Sequence, residues 1–251
     1  MNRELEGVYA LWKREIIRFY RSKSRVIGSL GMPFFFLAIL GTGLNGIFSV
    51  GGGVSYLQFM APGIVGMVLM FGSMFSGITV LMDRQFGFLR ETLVAPISRL
   101  SIVAGKSLGG ATTAVIQAVI MLGVAALLGA GLQPANILVL LAFMFLISLM
   151  FVSFGVAIAS LLEDMHGFQM IMNFIIMPMF FLSGALFPLS SAPAILKAVS
   201  MADPLTYGVN GLRYLILGVS DIGFVTSLSV VSAFTAVFTI LASYLFNRIE
   251  E

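Results

Sequence analysis

The sequence predicts an all-α integral membrane protein with six transmembrane helices, and three observations carry that prediction. Of its 251 residues, 59% are hydrophobic and 10% charged, against roughly 45–50% and about 25% in soluble domains. The apolar residues gather into runs of about 20, the length a helix needs to cross a bilayer at about 1.5 Å per residue. Lys and Arg are divided unequally between the connections, as the positive-inside rule demands. A soluble fold could not hide this much apolar surface, and a closed barrel would show short alternating strands instead.

The first 25 residues form an element of their own. Leu5, Val8, Tyr9, Trp12, Ile16, Phe19 and Tyr20 recur at helical spacing, while Arg3, Glu6, Lys13, Arg14, Arg18 and Arg21 occupy mostly other faces. This predicts an amphipathic helix in the cytoplasmic interface, with Trp12 and the tyrosines at headgroup depth and the basic residues on anionic lipid. A plain topology anchor would carry the same residues. The spread of basic residues to Arg25 is unlike a cleavable signal peptide, in which an apolar stretch follows a short basic region at once.

Six spans follow, at 26–48, 59–82, 102–131, 136–162, 168–187 and 223–246, the fifth closed by Pro188. They fill the chain as a single transmembrane domain. Segment 189–222 is too long for a turn, and its apolar stretches between Pro193 and Leu217 are too short to cross, which predicts re-entrant or interfacial helices. With six spans, all the Lys and Arg except Lys197 and Arg213 fall on one side or at its edge. Both termini and the 83–101 loop are therefore expected in the cytoplasm, and 189–222 outside.

The chain has no cysteine, which excludes disulfides and thiolate sites. Gly105-Lys106-Ser107 imitates the end of a P-loop, but Leu100 stands where the first glycine belongs and an apolar span follows. Lys106 is expected to snorkel to the headgroups. His166, the only histidine, follows Glu163 and Asp164 in what reads as a solvated loop rather than a metal site, and no catalytic cluster is evident. The spans otherwise lack ionisable residues, which argues against a proton-coupled pump or a channel of charged rings; energy for transport would have to enter from elsewhere.

Gly105/Gly109, Gly72/Ser76 and Ser73/Gly77 give small-residue spacings that suit packing within one subunit or between two. Pro33 and Pro178 should kink their spans. Thr112, Thr113, Gln117, Gln169, Asn173 and Ser183 could line a pathway or bond between helices. The 23 Phe and 16 Met suit an adaptable apolar cavity. The 83–101 loop, rich in charge and in apolar Phe88, Leu89 and Leu93, fits a short helix presented to a cytosolic partner.

Two blocks, RETLVAPISRLSIVAGK (90–106) and FFLSGALFPL with DPLTYGVNGLRYL (180–215), resemble the permease subunits of ABC-2 type ATP-binding-cassette exporters, and the likeness extends over nearly the whole chain. The pattern is most similar to drug- and antibiotic-resistance permeases, with polysaccharide and lipid exporters sharing it. The resemblance implies a plasma-membrane transport component that is not itself an ATPase and moves a hydrophobic or amphipathic substrate outward. It implies a dimer of six-helix halves, identical or homologous, that docks two separate ATPase subunits. ATP and Mg would be held by those subunits, with no cofactor on this chain and no nucleic acid among its partners. Arg90, Glu91, Thr92 and Leu93 would form the ATPase-coupling helix. Asn173, with Gln117 and Gln169, would border the translocation route. Asp203, Pro204 and Arg213 would lie in the external re-entrant region, Asp203 standing where the family pattern suggests asparagine. A secondary carrier or a membrane assembly protein is the rival reading; a carrier would be expected to show inverted repeats and midplane ion ligands.

Overall fold

The computed structural model describes residues 3–46, 49, 50, 53–88, 94, 96–132 and 136–248. The chain is an all-α membrane protein. Helix α1 covers Arg3–Arg21 and α2 Lys23–Phe35, the latter continued by a π-helical turn at Phe36–Gly41. The long helices are α3 (Tyr56–Gln85), α4 (Arg99–Leu127), α5 (Ile137–Leu161), α6 (Met165–Leu182) and α9 (Phe224–Asn247), each long and apolar enough to cross a membrane. The number of candidate spans reaches six when α1 and Val26–Gly41, which meet at 69°, count as one bent span. Between α6 and α9 lie α7 (Ala194–Ser200) and α8 (Pro204–Leu217), both too short to cross. Among the described residues the strands are the two-residue pair Ser49–Val50 and Val54–Ser55.

Helix boundaries follow capping chemistry rather than hydropathy. Ser55 and Gln58 form a reciprocal capping box, Ser55 Oγ accepting from the Gln58 N–H and Gln58 Oε1 from the Ser55 N–H. This starts α3 three residues before the apolar run. Ser98 caps α4 through the Ser101 N–H, and Asp164 caps α6 by accepting from the Gly167 N–H at 2.7 Å. His166 therefore stands in the first turn of a helix, not in the loop the sequence suggested. The helix of the first span continues past its π-helical turn to Gly43, and its expected end at Phe48 lies outside the described residues. α6 likewise contains a π-helical turn, Met172–Ile176, just before Pro178; both π turns adjoin the prolines expected to disturb these helices.

α3 lies at the centre, buried along most of its length and packed on α4, α5 and α8, while α9 closes the bundle against α5 and α8. α3 and α5 approach closely at Gly77, where a Cβ would fall 2.5 Å from the Gly155 carbonyl carbon. Small residues thus let the backbones of α3 and α5 touch.

Candidate functional site

The root of the 83–101 loop is built on a buried carboxylate. Hydropathy assigned Asp83 to the loop, but α3 continues past it to Gln85 and encloses it. The Asp83 side chain is 2% exposed, and Oδ2 takes the Lys106 Nζ at 2.5 Å and the Arg14 Nη2 at 2.6 Å. Lys106, 3% exposed, therefore does not reach the headgroups, because a carboxylate one helix away neutralises it at lower cost than crossing back to water. The expectation that the bundle lacks buried charge is corrected at this end: a salt-bridged pair joins α3 to α4, with α1 supplying further cations.

α1 packs on α4 rather than floating beside it. The two run in the same direction: Glu4 accepts from the Ser98 N–H and hydroxyl, and Gly105 and Gly109 receive Leu11 and Glu15, a Cβ at either glycine falling within 2.8 Å of those side chains. The GxxxG spacing is thus a seat for α1 within one subunit. The Trp12 indole N–H donates to the Thr112 hydroxyl at 3.1 Å, a protein partner in place of the expected headgroups. Leu5, Tyr9 and Tyr20 stay exposed and keep an apolar face for lipid. Both roots of the loop are tied further, Arg84 donating to the Leu162 carbonyl at one and Arg99 to the Asn247 carbonyl at the other. Phe88 is exposed; Arg90, Glu91, Thr92 and Leu93, the expected coupling residues, lie outside the described residues, as does Leu89.

A cavity of about 620 Å³ opens among α2, α3, α4 and α6, within the size range of small-molecule sites. Gln117, Gln169 and Asn173, singled out in the sequence as pathway candidates, all line it. Around them stand Met32, Met67, Met82, Met165, Met172 and Met177, with Phe71 and Phe75. The wall contains no ionisable side chain among the described residues. From Met67 to Met82 it follows α3 for roughly 22 Å, ending beside Asp83. Gln117 Oε1 accepts from the Ser29 hydroxyl at 2.8 Å, while Gln169 and Asn173 are exposed and make no side-chain hydrogen bond among the described residues. Thr113 and Ser183 instead bond to carbonyls of their own helices.

At the opposite end, α8 is held by polar caps. Asp203 accepts from the Leu205 N–H at 2.8 Å, Pro204 occupies the first turn, and Gly218 ends the helix with φ 75°. Burial pushes the Asp203 carboxyl up to about 7, against the downward pull of the Leu205 N–H and the Thr206 hydroxyl. Arg213 is buried, donates to the Gly184 carbonyl at 2.9 Å and stands 3.9 Å over the Phe59 ring, a cation–π contact linking α8 to α3 and to the turn after α6. Asn210, which no sequence pattern marked, bonds the Thr206 carbonyl and the Asp221 N–H.

The family model described as ABC-2 type transporter matches residues 6–217. The putative transport permease ycf38 of Cyanophora paradoxa is 30% identical over 215 residues, covering 84% of this chain and 74% of the relative. Nodulation protein J of Rhizobium leguminosarum bv. trifolii is 31% identical over 212 residues, covering 83% and 80%. The inner membrane transport permease YadH of Escherichia coli K12 is 24% identical over 242 residues, covering 95% and 94%. The chain belongs to the ABC-2 type transporter family and is a multi-pass membrane transport permease.

Proposed function

We propose that this permease is the membrane-spanning half of an ATP-driven exporter that carries a hydrophobic or amphipathic substrate out of the cytoplasm. The carrying observation is the uncharged, methionine-walled cavity that ends beside the root of the 83–101 loop. Methionine side chains adapt to ligands of different shape, and three amide side chains give a polar end of a substrate something to bond. Charged polymers have no counter-charge there.

On this reading both termini and the loop face the cytoplasm, as the basic residues favour. Two copies of a separate ATPase, binding ATP and Mg, dock on the Arg90–Leu93 stretch of two permease chains. Closure of the ATPases moves the loop, and α3 and α4 carry the motion to the cavity. Asp203, Pro204 and Arg213 belong to an external closure that α8 forms against α3.

The test is co-purification with an ATP-binding-cassette ATPase subunit from the same organism, followed by ATP-dependent uptake of fluorescent lipids and apolar drugs into inverted vesicles. Glu91→Ala and Leu93→Ala are expected to insert normally yet lose transport. Wild-type ATPase binding and transport in both variants, or an external location for labelled Glu91→Cys, would refute the assignment.

A further inference from the structure

α1 spans both roots of the 83–101 loop. Near its start, Glu4 holds Ser98, where the loop enters α4. Ten residues further along, about 15 Å on a helix, Arg14 holds Asp83, where α3 gives way to the loop. A displacement that changes the separation of the two roots must therefore strain or shift α1. At Gly105 and Gly109 α1 comes close to the α4 backbone, with Leu11 and Glu15 seated against the two glycines.

The ionic contacts around Arg18 are incomplete. Asp83 Oδ2 takes both close bonds, from Lys106 and Arg14, while Oδ1 has no hydrogen-bond partner among the described residues. Arg18 lies between two carboxylates without bonding either, its Nη2 3.6 Å from Asp83 Oδ1 and its Nη1 3.9 Å from Glu15 Oε1. Nη1 and Glu15 Oε1 are likewise buried without a hydrogen-bond partner among the described residues, and Arg14 Nη2 also stands 3.9 Å from Glu15 Oε1. These separations exceed an ordinary hydrogen bond by roughly 0.6–1 Å, and buried charged groups left unbonded are costly. Three orphaned atoms around one guanidinium define two closed arrangements, Arg18 on Asp83 or Arg18 on Glu15. The first adds a second bond from α1 to Asp83; the second keeps the Arg18 charge within α1 and leaves Arg14 to hold Asp83.

We propose that Arg18 is a two-position latch that lets α1 follow the loop: closed on Asp83 it doubles the tie that Arg14 already makes from α1 to the root of α3, and closed on Glu15 it loosens that root, leaving Arg14 to hold it. Arg18 is a positioning residue, acting on transport through Asp83. The coupling role rests on the proposed function; the two positions do not.

The chain's one tryptophan, Trp12, lies on α1 one turn before Glu15 and supplies a single reporter. The permease is labelled with 5-fluorotryptophan, placed in nanodiscs and observed by fluorine NMR, alone and with the vanadate-trapped ATPase. The wild type is expected to give two resonances, or one exchange-broadened line, whose balance moves on trapping. Glu15→Gln should leave one line, that of the Asp83-bound position. Arg18→Lys, which retains the charge, should keep both. In the complex, Arg18→Gln should lower substrate moved per ATP by about fivefold or more, where simple loss of folding would lower transport and hydrolysis together. A single sharp line, unmoved by Glu15→Gln and by trapping, overturns the latch. Two lines that ignore trapping in a complex that transports normally overturn its role in coupling. A complex that shows no ATP-driven transport sinks the exporter reading instead, and the lines from the permease alone still decide whether the latch exists.

Discussion

Asp83 and Lys106 meet at 2.5 Å with both side chains almost wholly buried, one at the end of α3 and the other two turns into α4. Breaking such a pair leaves an uncompensated charge inside the bundle. Asp83→Ala strips Lys106 of its partner and Arg14 of its anchor, and should cost about 3–5 kcal/mol. Lys106→Met should cost less, because Arg14 still holds Asp83. Thermal unfolding of the purified variants in one detergent checks the order; equal losses would mean that Arg14 contributes nothing to holding Asp83.

The seat of α1 makes a second prediction. A leucine at Gly109 would collide with Glu15, since even a Cβ there lies 2.6 Å from the Glu15 Cβ. Gly109→Leu should lift α1 from α4, break the Trp12–Thr112 hydrogen bond and shift the emission of the single tryptophan. Gly123→Leu, on the same helix with nothing within 4 Å of its Cβ position, should leave the spectrum unchanged. Identical spectra for both variants would place α1 elsewhere.

These two sites show where the sequence could be read and where it could not. The long apolar runs announced α3, α4, α5 and α9 because membrane helices must satisfy their backbone internally and face lipid. Gln117, Gln169 and Asn173 stood out as polar residues in such runs, and the fold brings them to one cavity. Asp83 was invisible as a buried group because it sits where apolar residues give way to charged ones, and the cations that make its burial tolerable, Lys106 on α4 and Arg14 on α1, are distant in the sequence. Glu15 was missed for a related reason: its burial depends on the two glycines of α4, which no periodicity within α1 reports. The ends of α3 and α6 were misplaced because capping by Ser55 and Asp164 extends a helix beyond its apolar core.

The cavity predicts a size-dependent phenotype. Met172→Trp places a rigid bicyclic side chain on its wall and should reduce transport of bulky substrates more than of small ones. Asn173→Leu keeps the branched shape of the side chain and removes its amide. It should weaken binding of an amphiphile with a polar head by about 1 kcal/mol, or roughly fivefold, and leave a purely apolar probe unaffected. Fluorescent-probe titrations on the purified permease separate the two effects; equal losses for polar and apolar probes would remove Asn173 from substrate contact.

Asp203 gives a pH dependence with a definite sign. Its carboxyl ordinarily titrates near 3.8, and burial in the fold pushes it up to about 7, so the folded protein holds this proton more tightly than the unfolded chain. The stabilisation is therefore complete below about pH 4 and is lost as the pH rises through 7, with a ceiling of about 4 kcal/mol for a shift of this size. Asp203→Asn keeps a competent helix cap without a group to ionise. The variant should melt above the wild type at pH 8, and the difference should shrink towards pH 5. A wild-type advantage that grows with pH would show instead that the helix N-terminus and the Leu205 N–H hold the ionised carboxylate well enough to outweigh its burial.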